Sequence, residues 1–242
     1  MGPNQRGTGD LMSLSSEILA DTPTGYWPMT EASGSITDSV SGVVCNATPT
    51  PIYSVPNYVA TGININSTGY FAKAGISSAF TWVLGTDITL EFCLKRNVVD
   101  SATRGIVGYR GGVGVNIQYG VLILTGSNIL FDVGNTGSVR WTTGVNIADT
   151  DWHHIVLRHR GSDGFRDMWV DGRMVASATV LPSTDVPAPT TFAIGIVTGS
   201  TAFNGALSDY AVYNGKFLSN ARIQAHWAQI QNRNSAFMAA LM

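Results

Sequence analysis

Between Asp151 and Val180 the sequence DWHHIVLRHRGSDGFRDMWVDGRMVASATV leaves room for little besides an antiparallel sheet. Side chains on a strand point alternately to opposite faces. From Trp152 to His159 that rule places Trp152, His154, Val156 and Arg158 on one face and His153, Ile155, Leu157 and His159 on the other. Gly161-Ser162-Asp163-Gly164 reads as a turn, and Arg166 to Val170 as a second strand with Met168 and Val170 opposite Trp169. Asp171-Gly172 then offers the positive backbone angles that a two-residue hairpin turn requires, and Arg173 to Val180 returns as a third strand.

The same period of two runs through Ile88 to Lys95, with Ile88, Leu90, Phe92 and Leu94 as the core face and Thr89, Glu91, Cys93 and Lys95 as the other. Glycines punctuate further short strands at Gly105–Tyr109, Gly114–Gln118, Gly120–Thr125, Asn128–Val133 and Val139–Thr142. Thr191–Ile196 and Ala206–Tyr213 supply the last two. Turn signals every ~8–12 residues are the rhythm of a β-sandwich. A chain of 242 residues, 44% hydrophobic, is long and apolar enough for one such domain. Thr48 to Pro56, with three prolines, reads as an extended connector. Ser219 caps the one expected helix, whose Ile223, Trp227 and Ile230 share a face.

Three segments carry a family resemblance. WHHIV followed by WVDG, ILADTPTGYWPMTEASGSITDSVSG (Ile18 to Gly42) and FNGALSDYAVYNGKFLSNARIQAHW (Phe203 to Trp227) resemble the central, opening and closing parts of laminin G-like domains. These belong to the concanavalin A-like jelly-roll superfamily and occur, among other places, in bacteriophage virion proteins. The resemblance implies an all-β, concanavalin A-like antiparallel β-sandwich with one C-terminal helix. It sets the domain at residues 18–231, between an N-terminal arm (1–17) and an apolar C-terminal tail (232–242). Such a fold serves lectins, adhesion modules, glycan hydrolases and virion proteins, so it does not choose among them.

Composition removes several classes. Net charge is −2 with no Lys/Arg run, which excludes nucleic-acid binding. No apolar run approaches the ~20 residues of a membrane span. MGPNQRGTGDLMSLSSE lacks the apolar core of a secretory signal peptide. Cys45 and Cys93 read as buried thiols. Glycoside hydrolysis needs two carboxylates ~5–9 Å apart, yet Glu91 has only Thr89 and Cys93 beside it on its face, and Glu17 and Glu31 lie far from it in the chain. His153 and His154 point to opposite faces, cannot share a metal, and read as structural. No nucleophile elbow or phosphate loop is present. No catalytic or cofactor-binding residue is therefore assigned.

Calcium is the ion the resemblance implies. It wants six to eight oxygens, for which Asp149, Asp151 and Asp209 are the candidates, with Asp163 and Asp167 in the hairpin. Tyr53, Tyr58, Tyr109 and Tyr119 are the candidate glycan platforms, while Trp27, Trp152, Trp169 and Trp227 are assigned to structure. The leading expectation is a non-enzymatic virion surface protein made in the host cytoplasm: a capsid decoration (cement) protein, head fibre or tail component. Its arm and a tail carrying Phe237, Met238 and Leu241 would anchor it to other virion subunits, in a homo-oligomer. The alternative is a glycan-binding adhesion or host-recognition module, and a polysaccharide-degrading enzyme is the third.

Overall fold

The computed structural model describes residues 13–49, 51–56, 61–110, 117–135, 140–182, 190–197 and 200–240. In chain order the elements are α1 (Leu14–Ala20), β1 (Gly25–Trp27), β2 (Ile36–Thr37), β3 (Val44–Thr48), β4 (Ile52–Pro56), β5 (Thr61–Asn64), β6 (Tyr70–Ala74), β7 (Ile88–Arg96) and β8 (Arg104–Arg110). Then follow β9 (Ile117–Ile123), β10 (Asn128–Asn135), β11 (Trp141–Asn146), β12 (Trp152–His159), β13 (Phe165–Val170), β14 (Arg173–Thr179), β15 (Thr191–Ile194), β16 (Thr201–Ala202), β17 (Gly205–Asn214) and α2 (Asn220–Ala240). One sheet runs β14-β13-β12-β7-β17-β5-β4 with β1 beside β17. The other runs β11-β10-β9-β8-β15-β6-β3-β2 with β16 beside β8. The expected antiparallel sandwich with a C-terminal helix is the observed architecture.

Alternation sends the side chains of the first sheet into two different cores. Ile88, Leu90, Phe92 and Leu94 of β7, with Ile155 and Leu157 of β12 and Met168 of β13, fill the space between the sheets. There Trp27 stacks on Phe192 at 5.1 Å and on Tyr210 at 5.7 Å. The opposite face of the first sheet presents Cys93, Val156, Trp169, Ala211 and Tyr213, which are buried by Leu14, Ile18, Ile223 and Ile230 from the two helices. Asp171 and Gly172 take φ of +51° and +73°, as their hairpin turn demands. Both cysteines are buried and free.

Charges inside the sandwich are tied off. Arg166 sits on the core face of β13, fully buried. It donates across the gap to the carbonyls of Phe131 (3.2 Å) and Val133 (3.0 Å) on β10, and to His159 Nδ1 at 3.4 Å. Burial, helped by the Arg166 charge, pushes the His159 imidazole down to about 4, so its ring is neutral and can accept. On the outer face Arg158 grips Asp167 with two donors, reaches the carbonyl of Leu218 and lies 4.0 Å over the Phe217 ring. That ties the lead into α2 to the sheet.

Helix extends into both chain ends. Within the expected arm, residues 14–17 are helical. They open α1, where Ser13 Oγ accepts from Ser16 N and Leu14 and Ile18 are buried. Glu17 and Asp21 then pair with Arg222 of α2 at 2.6 and 2.9 Å. Within the expected tail, α2 runs without interruption to Ala240. Phe237 and Met238 fall within that helix, their side chains outside the described residues, as is Leu241. The proline-rich connector also contains a strand, β4, at the edge of the first sheet.

Trp169, 4% exposed, fills the sheet–helix core beneath the Arg158 guanidinium. Trp169→Ala is expected to cost about 3–5 kcal/mol, read as a fall of roughly 6–20 °C in Tm for a domain of this size. A melt unchanged within two degrees would contradict this packing.

Candidate functional site

The outer face of the first sheet carries a buried network that same-strand spacing could not reveal. Glu91, on β7, is fully buried. Its Oε1 lies 2.7 Å from His154 Nε2 on β12 and 2.8 Å from His226 Nδ1 on α2, and Tyr213 OH on β17 donates to Oε2 at 2.9 Å. Burial opposes ionisation of Glu91, but His226 and His154 more than offset it and hold the carboxyl well below its usual range. Burial alone would lower the His226 pKa; the Glu91 carboxylate outweighs it and raises it. His226 Nε2 also lies 3.0 Å from Asp21 Oδ2. Glu91 is thus not alone, although its close neighbours are imidazoles and a phenol. Glu91, His154, Tyr213 and His226 are each at most 1% exposed, so the network has no access to a substrate.

At the rim of this network the β13–β14 turn meets α2. Asp171 Oδ1 accepts from the His154 backbone N–H and Oδ2 lies beside His153 Nδ1, both at 2.9 Å. His153 Nε2 contacts Asp149 Oδ1 at 2.9 Å. The Trp227 indole stacks parallel to the His154 ring, 6.2 Å between centroids and 10° between planes. Gly172 is pressed against it: a Cβ there would lie 2.4 Å from Trp227 Cδ1. These contacts leave an open cleft of about 320 Å³ lined by Val170, Asp171, Arg173, Val175, Trp227 and Gln231. An indole, a fixed carboxylate, a guanidinium and an amide therefore converge on one small volume.

The residues singled out from sequence sit elsewhere. Tyr109 and Tyr119 are 3% and 0% exposed, packed edge to face at 5.7 Å between the sheets, because β8 and β9 pair and turn both rings inward. They are corrected from glycan candidates to core. Tyr53 is part-buried, packs edge-on against Phe71 at 6.4 Å and donates to the Gly34 carbonyl. Tyr58 lies outside the described residues. Among the calcium candidates, Asp209 is buried at a bulge of β17, where it accepts from Tyr26 OH at 2.6 Å. Burial pushes its carboxyl up to about 6. Asp149 is engaged by His153 and by the Asp151 backbone N–H. Asp149, Asp151 and Asp209 do not form a ligand set, and among the described residues no three His, Cys, Asp or Glu side chains do. No described helix is long and apolar enough to cross a membrane.

His153, held between Asp171 and Asp149, fixes the carboxylate at the cleft. Its bond to Asp171 is the main reason its pKa rises from 6.5 to about 9, against the effect of burial. The folded state therefore binds this proton more tightly than the unfolded chain. The stabilisation is complete below about pH 6.5 and is lost as pH climbs through about 9. Thermal melts from pH 6 to 10 are expected to show this alkaline decline in the native chain and a flatter profile in His153→Asn. Parallel profiles would contradict it.

Three comparisons bear on the fold. A Trypanosoma rangeli sialidase in complex with sialic acid superposes with a TM-score of 0.64 at 17% identity, over 87% of this chain and 33% of the sialidase. The binding domain of botulinum neurotoxin DC in complex with rat synaptotagmin II gives 0.66 at 12% identity, over 87% and 52%. The same binding domain in complex with SialylT gives 0.62 at 11%, over 84% and 52%. The chain thus spans about a third of the sialidase and about half of the toxin domain. No curated protein sequence matches. At these identities the likeness is one of fold. A family model matches residues 68–224, which is more than half of the chain, and this protein belongs to the concanavalin A-like lectin/glucanase superfamily.

Proposed function

We propose that this protein is a non-enzymatic carbohydrate-binding module whose sugar site is the cleft between the β13–β14 turn and α2. The carrying observation is the convergence of Trp227 with Asp171, Arg173 and Gln231 around about 320 Å³. A pyranose is amphipathic. Its C–H face packs on an aromatic ring, and its paired hydroxyls bridge planar groups such as a carboxylate, an amide or a guanidinium. Small-molecule sites are clefts of ~300–1,000 Å³ with a few well-placed polar groups, and this cleft is at the size of a single sugar unit. Asp171 is 30% exposed and uses one bond per oxygen internally, which leaves it lone pairs for a ligand. The neighbours named for complexes with sialic acid and SialylT support the reading by likeness of fold.

The enzymatic alternative loses support because Glu91, the carboxylate at the centre of the outer-face network, is sealed beneath His154 and His226. The virion reading rests on composition and on the two chain ends. Its anchors Phe237, Met238 and Leu241 fall where side chains are not described, so it has no geometric support to set beside the cleft.

A glycan microarray followed by calorimetry on the purified chain tests the proposal. Binding is expected with Kd in the micromolar-to-millimolar range (about −8 to −4 kcal/mol). Trp227→Ala is expected to weaken it at least tenfold while the far-ultraviolet dichroism is kept, and EDTA to leave it unchanged. Turnover of a bound polysaccharide, or binding indifferent to Trp227 and Gln231, would sink it.

A further inference from the structure

Arginine is used throughout this chain as a tie. Eight arginines have described side chains. Arg104, Arg140, Arg158, Arg160 and Arg222 hold carboxylates. Arg96 and Arg166 hold backbone carbonyls. Arg173 is the exception among the described residues: it is exposed, it opens β14, and it has no acceptor. It is also the arginine that lines the cleft.

The charge next to it does not fill that role. Asp171 is two residues away, but its two oxygens face the His154 N–H and the His153 ring, and Arg173 makes no pair with it. Asp149, the other acid nearby, contacts the far nitrogen of the same histidine. The guanidinium is thus left with its donors in a planar fork, a geometry that fits a carboxylate through two parallel N–H···O bonds. Among the described residues the remaining walls are apolar (Val170, Val175), aromatic (Trp227) or amide (Gln231).

We infer that the cleft takes a carboxylated sugar, with the acid group paired to Arg173 and the ring against Trp227. This rests on the glycan-binding reading and sharpens it: the acid class, a sialic or uronic acid unit, is set by Arg173. The hydroxyl-bearing side of the sugar then faces Asp171, which accepts, so the two charged walls divide the ligand between them. Electrostatic pairing at a partly exposed site weakens with salt, so affinity for the acid should fall as ionic strength rises.

Calorimetry with matched pairs tests this: sialyllactose against lactose, and oligogalacturonate against its carboxyl-reduced form. For at least one pair the carboxylated member is expected to bind tenfold or more tightly. Arg173→Gln should remove that advantage, bringing the acid and neutral members to equal affinity, and Arg173→Lys should restore only part of it, since an ammonium offers no fork. Arg173 is exposed, so both variants are expected to melt with the native chain. Equal affinity for acid and neutral members, or an advantage that survives Arg173→Gln, overturns the inference while leaving a Trp227-dependent sugar site standing. No binding of any sugar, with Trp227→Ala silent, overturns the glycan reading itself and this inference with it.

Discussion

A buried carboxylate is unfavourable unless its charge and its lone pairs are both answered. In this molecule the answer to Glu91 is what fastens the helical layer to the sandwich. Two of its three partners, His154 and Tyr213, come from the strands flanking β7, and the third, His226, comes from α2. One carboxylate thus joins three neighbouring strands of the sheet to a helix more than a hundred residues away in the chain. Removing the helix would leave Glu91 with one imidazole and a phenol in an apolar surround of Cys93, Val156 and Ala211. The network therefore specifies where α2 must sit, beyond the apolar contacts of Ile223 and Ile230, which any comparable stripe could make.

That placement creates the cleft. Trp227 follows His226 directly, so the bond from His226 to Glu91 sets the height of the indole above the sheet. The stack on His154 sets its plane. The β13–β14 turn then closes on it from the side, which only Gly172 permits, because a Cβ would strike the indole and the residue sits at φ +73°. Asp171, the other turn residue, is held by the strand carrying the Glu91 contact, through the His154 backbone and the His153 ring. The same few residues that dock the helix also order the walls of the site. Preorganised walls of this kind reduce the entropic cost of binding.

Much of the sandwich was legible because period-two alternation is local. Which of Trp152–His159 and Ile88–Lys95 face the core, and where Asp171-Gly172 turns, follow from neighbours one or two positions apart. The rest depends on contacts that sequence spacing does not encode. Glu91 looked solitary because its strand offers only Thr89 and Cys93, whereas His226 lies on a helix reached 135 residues later. Tyr109 and Tyr119 stand among glycines and read as loop aromatics, but the pairing of β8 with β9 buries both. The helix α1 was hidden in a serine-rich segment, although Ser13 before Leu14 and Ile18, four apart, was a cap and a stripe in miniature. The run to Ala240 contains no glycine or proline, and that absence was the available sign that α2 would continue.

The position of the cleft follows from what the fold leaves open. Between the sheets the aromatic cluster of Trp27, Phe80, Phe192 and Tyr210 packs the described interior. The outer face of the first sheet is sealed by α1 and α2 over its centre. The cleft lies at the margin, where β14 forms the end of the sheet. Sheet edges invite unwanted pairing and are blunted by charge or by irregular pairing. The first residue of β14 is Arg173, and the pairing with β13 slips at Met168/Trp169, so this margin carries both devices. Arg173 at that edge faces solvent with its donors unspent, and a carboxylate of the right size can use them.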